Sequence, residues 1–266
     1  MSSYVVTGSS KGLGYAFLEN LSKNHANTVI GLARSKASLE AKLQKAGITN
    51  VHVLQGDVND RASLKAAAEA ASKITGGKLD VLINNAGLVS EVSGFKTLLD
   101  YDANIQDQEE DFLESFKVNA LGLVNVVHAF LPLVRQGSVK KVVNLSTGMA
   151  DLNLIHKVDI AIGAPYAASK AAANIIVAKY AAALKEEGIL FLSMSPGYVS
   201  TESNLEADPV GAQAMGAKFA AYAPHFTRPL TPEESITAIL GVVEKKSVAN
   251  GDSGRFISHL GTQQWL

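Results

Sequence analysis

Short runs rich in Val, Ile and Leu punctuate the chain at Tyr4–Val6, Thr28–Leu32, Val51–Gln55, Val81–Ile83, Lys141–Leu145 and Leu190–Met194. Each is followed by a longer stretch with apolar residues at helical spacing, at about 12–28, 36–46, 61–75, 109–135, 166–187 and 232–245. Strand and helix in alternation predict a parallel sheet, and right-handed crossovers place the helices on both of its faces. The expected architecture is a doubly wound α/β fold, one domain over residues 1–266. A last apolar run, Arg255-Phe256-Ile257-Ser258, predicts an edge strand. The stretch Ala171 to Leu184 is interrupted by Lys179 and flanked by Lys170 and Lys185, so it reads as a buried helix rather than a membrane span.

Three connections break the alternation: Leu88 to Gln108, Gly148 to Pro165, and Ser203 to Thr231. All follow strands. In an open α/β sheet the ligand crevice lies beyond the carboxyl ends of the strands, so these segments are expected to supply substrate walls and a lid.

Composition narrows the partners. With 47% hydrophobic residues the chain can bury a large core, and 24 basic against 25 acidic residues leave no cationic excess to hold a nucleic acid. No cysteine is present, which removes disulfides, thiolate metal sites and a cysteine nucleophile, and fits a reducing, cytoplasmic setting. The first strand begins almost at Met1, with no basic and apolar leader ahead of it. Neither export nor a membrane location is expected. His52, His128, His156, His225 and His259 show no metal-ligand spacing, so no metal site is expected. The acidic run Asp107, Glu109, Glu110 and Asp111 suits a helix start.

The first chemistry-bearing pattern is Thr7-Gly8-Ser9-Ser10-Lys11-Gly12-Leu13-Gly14, placed between a strand and a helix. Gly8 and Gly12 allow backbone angles and close approaches that a side chain forbids, and the helix start offers unpaired amides to a phosphate. The loop, with Ser10, Lys11 and Leu13 among its residues, reads as a dinucleotide cradle. About 20 residues past such glycines an acid reads a free ribose hydroxyl, or an arginine a 2′-phosphate. Arg34 stands there, no acid occurs between Ala26 and Ser38, and Lys11 adds a second cation. NADP(H) is therefore the expected cofactor rather than NAD. Asp57-Val58 can hold the adenine, although an aspartate there can equally cap the next helix.

Further motifs follow in order: Asn84-Asn85-Ala86-Gly87, Phe116-Lys117-Val118-Asn119, Val143-Asn144-Leu145-Ser146-Thr147, Tyr166-x-x-x-Lys170, and Pro196-Gly197-Tyr198-Val199-Ser200-Thr201. With the glycine loop they give the chain a resemblance, over nearly its whole length, to the single-domain short-chain dehydrogenases/reductases, whose fold is Rossmann-type. Ala164-Pro165-Tyr166, Ser253-Gly254-Arg255-Phe256-Ile257 and Trp265 also look similar to fungal reductases of aromatic polyketides, such as norsolorinic acid reductase, and to carbonyl reductases of the sniffer and C-factor type. The resemblance implies that Asn85, Ala86 and Gly87 pack beside the adenine ribose, that Pro196, Gly197 and Val199 touch the nicotinamide, and that Thr201 bonds its carboxamide. It implies that Lys170 donates to the nicotinamide ribose. Asn119 would hold a water linking that lysine to solvent; a helix-kinking or core-satisfying amide is the alternative.

Hydride transfer to a carbonyl carbon builds charge on the oxygen, which needs a proton donor and further hydrogen bonds. A lysine ammonium one turn along the helix, together with the positive charge of the oxidised nicotinamide, is expected to lower the pKa of Tyr166 and make it the acid in reduction and the base in oxidation. The family's serine slot aligns with Thr147. Ser146 is the alternative, and strand alternation lets only one of the two face the carbonyl. Tyr198 is expected to look into the substrate pocket or to pack against the lid. The resulting expectation is an NADPH-dependent reductase of a small-molecule ketone or aldehyde, hydrophobic and aromatic or polyketide-like. The alternatives are an NADP-dependent secondary-alcohol dehydrogenase and a non-catalytic NADP-binding sensor or scaffold. Apolar helices carrying Asn119 and Tyr166 lead us to expect a homodimer or homotetramer.

Overall fold

The computed structural model describes residues 2–90, 93–100, 105–201 and 209–266. Parts of two connections expected to form walls and lid, 91–92, 101–104 and 203–208, therefore lie outside the described residues. Seven strands form one sheet: β1 Ser3–Thr7, β2 Thr28–Ala33, β3 Val51–Gln55, β4 Val81–Asn84, β5 Lys141–Leu145, β6 Leu190–Ser195 and β7 Phe256–Ser258. Their order is β3-β2-β1-β4-β5-β6-β7, and every neighbouring pair is parallel. The sheet reverses direction of growth beside β1, between β1 and β4, which opens the crevice at the strands' carboxyl ends.

The helices are α1 Gly12–Ser22, α2 Lys36–Lys45, α3 Arg61–Thr75, α4 Ile105–Phe116, α5 Gly122–Gln136, α6 Leu152–Val158, α7 Ala164–Ala183, α8 Pro209–Tyr222 and α9 Pro232–Lys245. The first of them ends earlier than its expected limit near residue 28. After Ser22 the chain is polar, and Asn27 closes a turn by donating through its side chain to the Leu21 carbonyl at 3.2 Å. The helix expected at 109–135 runs from Ile105 to Gln136, with one π-helical turn, Lys117–Leu121, inside it. By length and composition this helix could cross a bilayer, but here Val126, Val127, Phe130 and Val134 are buried against the sheet. The connections 148–165 and 203–231, read as irregular, contain α6 and α8.

Two apolar clusters sandwich the sheet. On one face Phe130, Leu82 and Phe191 join α3, α5 and α7 to the strands; on the other Phe17, Leu18, Ile236 and Ile239 do so from α1 and α9. Fully burying such a side chain stabilises by about 1.5–3 kcal/mol. The expectation that Ala171 to Leu184 is a buried helix holds for one face only. Ala173, Val177 and Ala181 are buried, whereas Ile175 is 64% exposed, because small residues alternate around a helix that covers the sheet from one side.

A third cluster lies beyond the sheet's edge, packed against Phe256 of β7, and comprises Leu154, Val158, Ile160, Met215, Phe219 and Trp265. At the opposite end of the strands Asp80 ties β1 to β4 and to the entry of β5. Its carboxylate accepts from the Ser3 amide and hydroxyl at 2.9 and 3.1 Å, and from the Ser138 amide and hydroxyl and the Val139 amide at 2.9, 2.8 and 3.2 Å. Burial alone would raise this carboxyl, but the donors from Ser3, Ser138 and Val139 outweigh it and hold the group below the usual carboxylate range.

Candidate active site

A cleft of about 540 Å³ opens above β1, β4, β5 and β6. Its floor is the glycine loop. Gly8 has φ +66°, and a Cβ there would stand 2.6 Å from the Ala86 Cα, so only glycine lets the two segments touch. The loop is held in place by Thr7, whose hydroxyl accepts from the Asn85 and Ala86 amides at 3.1 and 3.0 Å. Asn85 returns its side-chain NH₂ to the Thr7 and Gly8 carbonyls at 2.9 and 3.1 Å. No side chain caps the start of α1, where Lys11 is extended, so the helix's first amides are left for an anion.

Lys11 and Arg34 are exposed on the cleft wall, and none of the ion pairs among the described residues uses either. A cation not singled out from the sequence stands behind them. Lys42 lies 4.0 Å over the Tyr15 ring and reaches the Ser10 carbonyl at 3.5 Å. Its signal was hidden because it comes two turns into α2, far from any motif. Asp57 lines the cleft with its carboxylate on the Asn59 amide at 2.9 Å, while Asp60 caps α3 through the Ala62 and Ser63 amides. Capping thus falls to Asp60 and not Asp57. Val58 packs against Gly122, where a Cβ would come within 2.9 Å of its methyl.

A bound dinucleotide fits these residues. The bare backbone at Gly8 and Gly12, the uncapped helix start and the unpaired guanidinium of Arg34 would hold its phosphates, and Gly197 and Val199 its ring end. Gly87 is a further close approach, since a Cβ there would lie 3.1 Å from both the Lys170 Nζ and the Asn119 Oδ1.

The reactive side chains converge from three elements. Gly163, at φ +65°, and Pro165 start α7, which places Tyr166 in its first turn and Lys170 one turn on. Thr147 leaves β5 with extended backbone, its side chain near enough to the Tyr166 phenol to pull its pKa down and accepting from the Met149 amide at 3.2 Å. Ser146, which also borders the cleft, is buried without a hydrogen-bond partner for its hydroxyl. Lys170 is 4% exposed and donates to the Leu145 carbonyl at 2.6 Å; its Nζ lies 5.9 Å from the Tyr166 ring centre.

Of the two charges expected to lower the phenol's pKa, the Lys170 ammonium by itself does not do so: desolvation pushes Tyr166 up to about 12, against the downward pull of Thr147. The ring is only half-buried by surface area and forms part of the cleft wall, so crowding by protein around it produces this effect rather than full enclosure. Burial likewise pushes Lys170 down to about 8, and its ammonium aims at Leu145 instead of the phenol.

Asn119 sits on the π-helical turn, nearly fully buried. Its Oδ1 accepts from the Leu88 amide at 2.8 Å, and its Nδ2 donates to the Leu88 carbonyl and the Ser169 hydroxyl, both at 2.9 Å. The amide therefore clamps the loop after β4 to the helix, and its hydrogen bonds are satisfied within the protein.

Past β6, Ser235 donates to the Pro196 carbonyl at 2.7 Å, and the His259 ring fills the space beside Gly197, which has φ +82°. Val199 pairs with Leu230, and Thr201 approaches Gly12 across the cleft. Tyr198 packs edge-on against Phe219 of α8 with ring centres 5.1 Å apart, and its hydroxyl donates to the Ala212 carbonyl at 3.3 Å. Its ring lines the cleft while its hydroxyl is committed to the lid.

Comparison with known proteins agrees with this arrangement. A family model described as short chain dehydrogenase matches residues 3–209. The chain is 46% identical to the short-chain dehydrogenase/reductase AacuF of Aspergillus aculeatus and 40% identical to the short chain dehydrogenase virK of Hypocrea virens, each over 100% of both chains. In fold it is similar to an NADPH-bound carbonyl reductase from chicken fatty liver (TM-score 0.78, 23% identity) and to the carbonyl reductase Sniffer of D. melanogaster (TM-score 0.76, 19% identity), each over 98% of both chains. From the uncapped glycine loop to the Tyr166 and Lys170 pair, and across the matched residues, the chain belongs to the short-chain dehydrogenase family of oxidoreductases.

Proposed function

We propose that this protein is an NADPH-dependent reductase of uncharged, hydrophobic ketones or aldehydes. The observation that carries the reading is the convergence of Thr147, Tyr166 and Lys170 beside the glycine cradle. When bound, a reduced nicotinamide supplies a hydride to the carbonyl carbon. The Thr147 hydroxyl holds the carbonyl oxygen, and Tyr166 gives it the phenolic proton as negative charge develops there. The phenol, pushed up to about 12, is protonated at neutral pH, the form that donates. Lys170, ordered by Leu145, keeps a positive charge near the phenol and would hold the nicotinamide ribose, as the family resemblance implies. Asn119 positions the floor of the site through Leu88.

The preference for NADPH is supported by Arg34 and Lys11, exposed and without ion pairs at the adenosine end of the cleft. We further propose a cytoplasmic homodimer or homotetramer. The exposed apolar side chains of Leu113, Phe116 and Leu121 on the long helix and Ile175 on α7 support association through those helices.

The test is NADPH oxidation, followed by absorbance, against aryl ketones, diketones and quinones. Turnover is expected with at least one class, and Tyr166→Phe is expected to abolish it while NADPH still binds. Full activity of Tyr166→Phe would refute the assignment of the proton donor.

A further inference from the structure

The substrate end of the cleft is built from parts that the catalytic groups do not explain. Met149, Leu154, Tyr198, Met215, Phe219 and Trp265 line it. Among the described residues the charged side chains on the cleft wall are Lys11, Arg34, Asp57 and Glu114; none comes from the 147–163 connection, the lid helix α8 or the segment after β7. The wall is thus apolar, thioether and aromatic, which suits a flat uncharged ring system and disfavours a carboxylate.

Trp265 is one of the residues of this wall. It is 4% exposed, and its ring stacks on Phe256 of β7 at 4.4 Å with 25° between planes. It also abuts the residue next to Thr147: a Cβ on Gly148 would stand 3.0 Å from the Trp265 Cβ and 3.3 Å from its Cγ. Gly148 is therefore the gap into which the tryptophan fits. The adjoining Leu266 carbonyl is held by the ring of His225 at 2.9 Å, beyond the end of α8. One side chain thus touches the loop that carries Thr147 and the edge strand, and the segment that bears it is fastened behind the lid.

We propose that Trp265 is a specificity-determining residue, a rigid aromatic wall that limits the width of the ketone presented to Thr147 and Tyr166 and favours planar aromatic substrates. This rests on the reductase reading above and names the substrate class for the same site. A large ring with few rotatable bonds, immobilised by Phe256 and Gly148, discriminates by shape at little entropic cost, and differences of this kind change specificity by about 10- to 200-fold per misfitted group.

The chain has one tryptophan, so its emission reports on this wall alone. Titration of the NADP⁺-loaded protein with acetonaphthone is expected to quench that emission saturably. Kinetics of acetophenone and acetylanthracene with Trp265→Phe and Trp265→Ala supply the second measurement. Trp265→Ala is expected to raise the kcat/KM ratio of acetylanthracene to acetophenone by about tenfold or more, mainly through KM, with Trp265→Phe closer to the native ratio. NADPH affinity, read from nicotinamide fluorescence, should be retained in both.

If Trp265→Ala does not fold, the quenching of the native protein decides. Ketone-independent emission, or an unmoved ratio in a folded variant, overturns the assignment while NADPH oxidation still upholds the reductase. Saturable quenching without NADPH oxidation by any ketone upholds the aromatic wall and overturns the reductase.

Discussion

Replacing Thr147 with Val removes one hydroxyl and keeps the shape of the side chain. In the structure that hydroxyl accepts from the Met149 amide and its side chain pulls the Tyr166 pKa down, whereas the Ser146 hydroxyl, one residue earlier, has no partner. If Thr147 meets the carbonyl oxygen, its loss removes a donor whose bond strengthens as charge develops. That is expected to cost about 2.7–4 kcal/mol of transition-state stabilisation, or roughly 10²- to 10³-fold in kcat. The ground-state loss is smaller, on the order of 1 kcal/mol for the orphaned Met149 amide, so the variant should melt only a few degrees lower. Thr147→Ser keeps a donor and should retain most of the rate. Ser146→Ala removes a buried, unsatisfied group and should leave kcat within about twofold and stability unchanged or slightly higher. The assay is steady-state NADPH oxidation with the best ketone of the panel, beside thermal melts by circular dichroism. A dead Ser146→Ala with an active Thr147→Val would overturn both the register and the argument built on it.

Two further outcomes test the ends of the molecule. Arg34→Ala should lower the kcat/KM ratio of NADPH to NADH by about tenfold, roughly the 1.4 kcal/mol expected of an exposed guanidinium–phosphate pair; an unchanged ratio would remove Arg34 from cofactor discrimination. Asp80 has its pKa depressed by the fold, so its contribution to stability is present above the unfolded carboxyl's pKa and is lost as pH falls through the lower folded value. Asp80→Asn should therefore melt well below the native protein at pH 7, and the gap should narrow on acidification; a gap independent of pH would mean that the carboxylate charge is not what matters.

Local patterning made most of this fold readable. The six apolar runs became six strands almost residue for residue, because in a sheet covered on both faces most positions of the central strands are apolar on either side. The short β7 was visible for the same reason. The site motifs were legible where glycine or a polar residue interrupts such a run, as at Gly8, Asn85 and Thr147. What stayed hidden depends on contacts between distant segments. α6 and α8 have their apolar residues facing each other and Trp265 rather than the sheet, so their periodicity has no strand beside it to give it meaning. Lys42 reaches the glycine loop only once α2 has folded back, and the upward push on Tyr166 comes from protein that gathers around it in three dimensions.

The separation of the third apolar cluster from the two that sandwich the sheet has a consequence for how such a protein can change over generations. On the proposed reading, substitutions among Leu154, Met215, Phe219 and Trp265 would alter which molecules are admitted while leaving Phe17, Phe130 and Phe191 of the sheet's two cores in place. The two regions could then diverge at different paces, and new chemical appetites could arise on an inherited scaffold.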